Sequence, residues 1–270
     1  DVDISEDKWL EALNVLASNG VRVVELTGGE PLLHPGFSKI LRACRELFTL
    51  TAIVSNGTLF TPEILDQVEA GKDGFIVQVS VDGACAETHE RQRGVAGCFE
   101  KAVHTIRELC RRGVLVRMSM SYGPWNWTEM GDVVLLGKEL GVLQVALAPI
   151  LPQGRALSTE MAWKDPDEES RAIKVFTELA KKHAGLLAVM PEDDRHPAKY
   201  YGNCGAGHQG IVVSPDGTIR PCVMSPGFVS FGNLLTEDYL ELFSKPFPRH
   251  LLDVRAPGPE FCGGMDKCPL

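Results

Sequence analysis

No uninterrupted apolar run approaches the roughly 20 residues that cross a bilayer, although 44% of the 270 residues are hydrophobic. A soluble protein with ample material for a buried core is expected, with no membrane partner. Aromatic residues amount to only 7%. Dense Lys/Arg blocks are also missing: 27 basic residues stand against 36 acidic ones, for a formal charge of -9. Phosphate-backbone affinity comes from clustered cations, so no nucleic acid partner is expected. No signal peptide is visible, which at a cut N-terminus decides nothing; a cytoplasmic location is expected on chemistry alone. The chain opens at Asp1 and closes on Lys267-Cys268-Pro269-Leu270, so both ends read as cuts through a longer protein.

Cysteine is sparse. Eight in 270 residues are too few to staple a small disulfide-rich domain. Cys44 and Cys110 fall inside helical apolar patterns, where a thiol behaves as a small hydrophobe. Cys85 and Cys98 flank a polar connection and have no partner at ligand spacing. The other four, Cys204, Cys222, Cys262 and Cys268, all lie within the last 67 residues, and that clustering points to a metal centre.

What the sequence does have is alternation. From Ser5, an N-cap residue, Trp9, Leu10, Leu13 and Leu16 recur at helical spacing until Gly20. The β-branched run 21–26 then reads as a strand bounded by glycines. The pattern repeats with helices near 36–48, 61–70, 97–112 and 129–140, and strands at 51–55, 75–81, 114–121 and 143–150. An α/β fold follows, with a parallel sheet and right-handed crossovers; periodicity alone does not choose between an open doubly wound sheet and a complete or partial barrel. In either case ligands bind beyond the C-terminal ends of the strands. Those positions are 27–31, 56–57, 82–83, 122–126 and 152–155. After about residue 157 come a charged helix near 165–184, a polar stretch, and a hairpin turning at Ser214-Pro215-Asp216-Gly217. Cys204 and Cys222 flank that hairpin, so they are expected near each other.

Gly28-Gly29-Glu30-Pro31 directly follows a buried strand. Glycines let a backbone approach a ligand, proline fixes a turn, and a carboxylate forms charge-assisted hydrogen bonds to an ammonium. The run 26–33 resembles the glycine-glycine-glutamate-proline motif of radical S-adenosylmethionine enzymes. Further features resemble that family in order: Val54-Ser55-Asn56-Gly57, Val79-Ser80-Val81-Asp82-Gly83, the loop His89-Glu90-Arg91-Gln92-Arg93-Gly94 with its helix-leading arginine, and Pro152-Gln153-Gly154-Arg155-Ala156. The resemblance implies a partial (β/α)6 TIM-like barrel lacking its first strand, over residues 1–157. It also implies S-adenosylmethionine as cofactor. Gly28, Gly29, Glu30 and Pro31 would hold its amino group, Asn56 and Ser80 would face its ribose or carboxylate, and Arg93 would pair with the carboxylate. Asp82 is the candidate acid or base beside the substrate, against the reading of a plain Asp-Gly turn.

A second resemblance is to the SPASM domain, a cysteine-rich α+β extension, here over 201–270 with 158–200 as linker and helix. Cys204, then Gly217-Thr218-Ile219-Arg220-Pro221-Cys222, then Phe231-Gly232-Asn233-Leu234 and a helix near 237–244 follow its pattern. Cys262 and Cys268 carry its spacing, but Pro259 stands where another cysteine belongs, so a one-cluster twitch variant stays open beside SPASM. The resemblance makes Cys204, Cys222, Cys262 and Cys268 ligands of one or two auxiliary 4Fe-4S clusters. Four thiolates suit structural zinc equally well, and a non-radical zinc-binding βα protein is the alternative.

The family's Cys-x3-Cys-x2-Cys loop, which holds the radical-generating 4Fe-4S cluster, is absent from the sequence. The polypeptide as it stands is therefore expected to be inactive. For the intact protein the resemblance implies a 5′-deoxyadenosyl radical that modifies a peptide or protein side chain, with tetrapyrrole or other cofactor biosynthesis as the alternative. The expected partners are a peptide or small-molecule substrate and a reductant such as flavodoxin or ferredoxin.

Overall fold

The computed structural model describes residues 4–151, 156, 160–161, 163–188, 207, 210–223, 225 and 229–245. It divides into two compact units, Val21–Val189, and Asp1–Gly20 together with Met190–Leu270. None of its described helices is long and apolar enough to cross a membrane.

The larger unit carries six strands in one parallel sheet: β1 (Val23–Leu26), β2 (Leu50–Ser55), β3 (Phe75–Ser80), β4 (Leu115–Tyr122), β5 (Gln144–Pro149) and β6 (Leu187–Ala188). Between them run α2 (Phe37–Leu47), α3 (Pro62–Ala70), α4 (Ala86–Arg93), α5 (Cys98–Arg111), α6 (Met130–Leu140) and α7 (Pro166–Lys182), while α1 (Glu6–Ser18) belongs to the other unit. Spatial order equals chain order, β1 to β6, and every pairing is parallel. That order decides between the two architectures. A doubly wound sheet reverses its strand order part-way. A singly wound one, with each crossover right-handed, keeps its helices on one face and curls as a partial barrel.

Burial confirms which face the helices cover. Alternate residues of the central strands are buried, among them Ile53, Val77, Val79, Val116, Met118, Met120 and Val145. They pack with Leu41, Val68, Ile106, Leu109, Val133, Val134 and Ala172 in one core. The intervening residues are only half-buried. They include Gln78, Ser80, Arg117, Ser119 and Ser121, with Gln78 opposite Arg117 and Ser80 opposite Ser119 in register. A sheet clothed on both faces would read as continuous apolar strands. Here the second face is only half-buried and is mixed, polar at those positions of β3 and β4 but apolar at Ala52 and Val54 of β2.

Two elements depart from the sequence reading. Residues 89–94 do not form a loop: 89–93 are the last five of the eight residues of α4, and Gly94 is its left-handed C-cap at φ 70°. This helix has Glu87 in its first turn, Arg91 and Arg93 in its last, and His89 as its sole buried residue. It is thus specified by end charges and a glycine cap rather than by apolar periodicity. The second is β6, which no pattern of a two-residue strand can announce; Leu187 is buried in the core.

In the smaller unit, β7 (Val212–Val213) and β8 (Thr218–Arg220) form the expected antiparallel hairpin, and β9 (Gly232–Asn233) adds to the far edge of β8. Gly217 takes φ 84° in the turn, where an L side chain is strained. Asp238 caps α8 (Tyr239–Ser244) by accepting from the N–H groups of Leu240 and Glu241. Phe231, Ile219, Leu234 and Leu242 are buried here. The Ile4 N–H donates to the Pro215 carbonyl at 3.0 Å, bringing the start of the chain onto the hairpin turn.

Candidate functional site

The loops beyond β1, β2, β3 and β4 meet at the C-terminal end of the sheet. Beyond β1, Gly28 adopts φ 137°, and nothing lies within 4 Å of where a Cβ would stand on Gly28 or Gly29. The backbone there is bare, as close ligand approach requires. The Glu30 carboxylate meets donors of the chain itself. Its Oε1 accepts from the Ser55 hydroxyl at 2.8 Å and from Leu32 N–H at 3.3 Å, and its Oε2 accepts from Asn56 N–H at 2.8 Å. Glu30 thereby joins the loop after β1 to the loop after β2. Pro31 opens a short 3-10 turn behind it. Asn56 uses its own Oδ1 on the N–H and hydroxyl of Thr58.

Beyond β3, Asp82 is 1% exposed. One carboxylate oxygen accepts from Ser121 N–H at 2.9 Å, and the other lies 2.7 Å from Arg93 Nε. Burial raises the carboxyl above its ordinary range, and the Arg93 guanidinium and the Ser121 N–H pull against it. The Asp82 N–H donates to His89 Nδ1 at 3.0 Å. Burial, with help from Arg93 and against Glu90, pushes the His89 imidazole down to about 4. It is neutral at ordinary pH, so the Nδ1 that accepts here leaves the ring proton on Nε2. Asn126, fully buried, closes the set: its Nδ2 donates to the carbonyls of Asp82 and Ser121 and to Gln92 Oε1. Glu129 accepts from Ala84 N–H at 2.8 Å and from the Thr88 hydroxyl, fixing the start of α4.

The structure therefore places Gly28, Gly29, Glu30, Pro31, Asn56, Ser80, Asp82 and Arg93 at one end of one sheet, with Ser80 on its half-buried face. It joins Glu30 to Asn56 and Asp82 to Arg93 directly. Sequence reasoning assigned no role to His89, Gln92, Asn126 or Glu129. Asn126 did fall in the strand-end window 122–126, whereas Glu129 sits in a helical pattern with nothing to mark it. A cavity of about 300 Å³ lies alongside, lined by Arg91, Trp125, Lys164, Asp165 and Glu168 among others. Residues 152–155 lie outside the described ones.

Of the four proposed metal ligands, Cys204, Cys262 and Cys268 lie outside the described residues. Cys222 follows β8 and is half-buried. Gly207 N–H donates to the Pro221 carbonyl at 3.0 Å, which sets the chain three residues past position 204 against the residue before Cys222. Among the described residues, no group of three or more metal-ligating side chains is assembled. Cys44 and Cys98 are buried and Cys85 exposed. Burial pushes the Cys44 thiol up to about 12, which makes it an inert core residue.

Comparison with known proteins agrees with this geometry. Residues 1–136 match the family described as the Radical SAM superfamily, and residues 204–269 match SPASM, described as an iron–sulfur cluster-binding domain. The antilisterial bacteriocin subtilosin biosynthesis protein AlbA of Bacillus subtilis (strain 168) is 31% identical over 268 residues, 99% of this chain and 59% of that protein. The AdoMet-dependent heme synthase of Methanosarcina barkeri is 29% identical over 261 residues, 89% of this chain and 73% of that protein. The crystal structure of Streptococcus suis SuiB bound to precursor peptide SuiA shares the fold, with a TM-score of 0.76 at 16% identity over 93% of this chain and 60% of that one. The chain thus spans less than two thirds of AlbA. The superfamily match covers just over half of the sequence, and the chain belongs to the radical SAM superfamily, with a SPASM domain at its C-terminal side.

Proposed function

We propose that the intact protein is a radical S-adenosylmethionine enzyme that modifies a side chain of a peptide or small protein. When bound, S-adenosylmethionine and a reduced 4Fe-4S cluster would supply radical chemistry: one electron from the cluster would cleave the sulfonium to methionine and a 5′-deoxyadenosyl radical able to abstract hydrogen from such a side chain. The observation that carries the reading is the bare Gly28-Gly29 backbone and the Arg93 guanidinium at one end of the same sheet. An amino acid moiety needs acceptors for its ammonium and donors for its carboxylate. Backbone carbonyls of the 28–31 loop suit the first, and Arg93 suits the second. Ser80 and Asn56 face the ribose or carboxylate between them. Glu30 holds the two loops in register rather than meeting the ammonium itself, because its carboxylate already takes three donors of the chain. Asp82, buried and paired, is better placed to hold Arg93 than to exchange protons with a substrate.

Cys204, Cys222, Cys262 and Cys268 would ligate one or two auxiliary clusters, and the contact from Gly207 to Pro221 supports Cys204 and Cys222 in one centre. The 270 residues contain no Cys-x3-Cys-x2-Cys loop, so the chain alone should not cleave the cofactor. A reductant such as flavodoxin or ferredoxin and a cytoplasmic setting complete the reading. The mixed charges of the cavity beside Trp125 suit a polar peptide. The test is incubation of the reconstituted intact enzyme, anaerobically, with peptides encoded beside its gene and with a tetrapyrrole precursor. A mass change confined to the peptide supports the proposal. Turnover of the tetrapyrrole alone shifts it to the second reading, which the likeness to a heme synthase favours.

A further inference from the structure

The Asp82–Arg93 pair is the least expected feature of the site. A carboxylate 1% exposed pays heavily in lost hydration, and a buried ion pair is weak as a stabilising device. Nor is it needed to fasten α4. Glu129 already ties down the chain entering that helix through Ala84 N–H and the Thr88 hydroxyl, His89 Nδ1 takes the Asp82 N–H, Glu90 Oε1 takes Phe99 N–H at 3.4 Å, and Gln92 donates to the Ser121 carbonyl at 3.3 Å. The form of the pair is also informative. A guanidinium with both ends free to choose usually grips a carboxylate as a fork. Here the closest approach is Nε to Asp82 Oδ2 at 2.7 Å, an ionic contact rather than an aligned hydrogen bond, since that buried oxygen takes no hydrogen bond, and the arginine side chain remains 32% exposed. Nη1 and Nη2, the two nitrogens that match a second carboxylate, have no partner among the described residues.

We propose that Asp82 is a positioning residue: it fixes the Arg93 guanidinium by its Nε edge and so presents the Nη1/Nη2 pair to the carboxylate of the amino acid moiety bound at the strand ends. The inference rests on the proposed role of Arg93 as the carboxylate ligand and adds what sets its orientation. Ser121 N–H and the carbonyl clamp from Asn126 hold Asp82 itself, so the alignment passes from the backbone of β4 through Asp82 to Arg93. In this arrangement Asp82 touches no reacting atom.

The experiment is equilibrium binding to the intact, cluster-loaded enzyme. The ligands are S-adenosylmethionine and its decarboxylated form, which keeps the adenosine, sulfonium and amine and lacks only the carboxylate. Asp82→Asn keeps the shape and the acceptor for Ser121 but turns an amide toward Arg93. Loss of a charged pairing should weaken S-adenosylmethionine about tenfold and leave the decarboxylated ligand within about twofold, a resolution set by the tenfold-per-1.4 kcal/mol scale. Arg93→Gln should show the same selectivity, and the double variant should be no worse than Arg93→Gln alone, because both changes remove one interaction. Asp82→Glu, which keeps the charge but displaces the guanidinium, should reproduce the selective loss and guards against an Asn variant that does not fold. Equal loss for both ligands, or additive effects in the double variant, would make Asp82 a structural pin and overturn the inference. Full affinity in Asp82→Asn beside a selective loss in Arg93→Gln would overturn it while sparing the role of Arg93. Unchanged affinity in Arg93→Gln would overturn both.

Discussion

Glu30 ties its loop to the neighbouring one through its carboxylate. The family resemblance implies a carboxylate near an ammonium, and in the structure its oxygens take the Ser55 hydroxyl and the N–H groups of Leu32 and Asn56. Glutamine would offer an amide N–H₂ where one of those donors now points. Glu30→Gln should therefore cost about 1.5–3 kcal/mol of stability, the range for a hydrogen bond to a charged group, and should loosen cofactor binding with it. Chemical denaturation checks this: weaker binding at unchanged stability would return Glu30 to the ammonium. His89 gives a pH prediction. Its imidazole, faced by Arg93, Glu90, the Asp82 N–H and the Phe99 ring, is held near 4 against an ordinary 6.5. As pH falls from 6.5 the unfolded chain gains a proton that the folded one refuses, so stability falls until about pH 4 and then levels. Asp82, with its carboxyl raised, acts in the opposite sense: its contribution is present at low pH and lost as pH rises through its folded value. His89→Gln keeps an acceptor for Asp82 N–H and leaves the Asp82 contribution in both proteins. The difference in stability between parent and variant should thus slope between pH 6.5 and 4 by on the order of 2–3 kcal/mol. A flat difference would show that His89 is not held neutral.

Elements differ in how plainly the chain announces them. The five longer strands of the parallel sheet were legible because β-branched runs between glycines have few other uses, and α2 and α5 because their apolar faces repeat at helical spacing. The α4 helix was not, since a helix fixed by Glu87, Arg91, Arg93 and Gly94 buries little and leaves no periodic trace. Strand β6 was invisible because two residues carry no period. The site was half legible for the same reason: strand ends name Gly28, Asn56 and Asp82, whereas Glu129 and Asn126 reach them across more than 40 residues of chain. The fit of α5 to the sheet is tight at Gly57, which takes φ 77° and whose added Cβ would meet Val79 Cγ1 at 2.7 Å and Ala102 Cα at 3.1 Å. Its carbonyl also accepts from the Thr105 hydroxyl. Gly57→Ala should cost about 1–3 kcal/mol through strain and displaced packing, and Ile106→Ala, which empties a fully buried site on the same helix, about 2–5 kcal/mol. Thermal or urea melts check both; a neutral Gly57→Ala would mean that α5 docks more loosely.

At the scale of the whole molecule, the parallel sheet offers a half-buried face and a set of loops at one end, and the smaller unit offers a hairpin that brings Gly207 to Pro221. Cys222→Ala should remove the iron and sulfide of one auxiliary cluster and leave the remainder, as read by metal analysis of the intact protein. Retention of all iron would return Cys222 to a structural role. The central claim is that these parts serve a cofactor-cleaving centre rather than a structural metal. Its most direct test is the yield of 5′-deoxyadenosine from S-adenosylmethionine when the intact protein is reconstituted with iron and sulfide and reduced without oxygen. The account predicts that 5′-deoxyadenosine forms, and that Arg93→Gln diminishes it at unchanged iron content. Stoichiometric zinc in the protein as isolated, with no 5′-deoxyadenosine after iron–sulfur reconstitution, would contradict it.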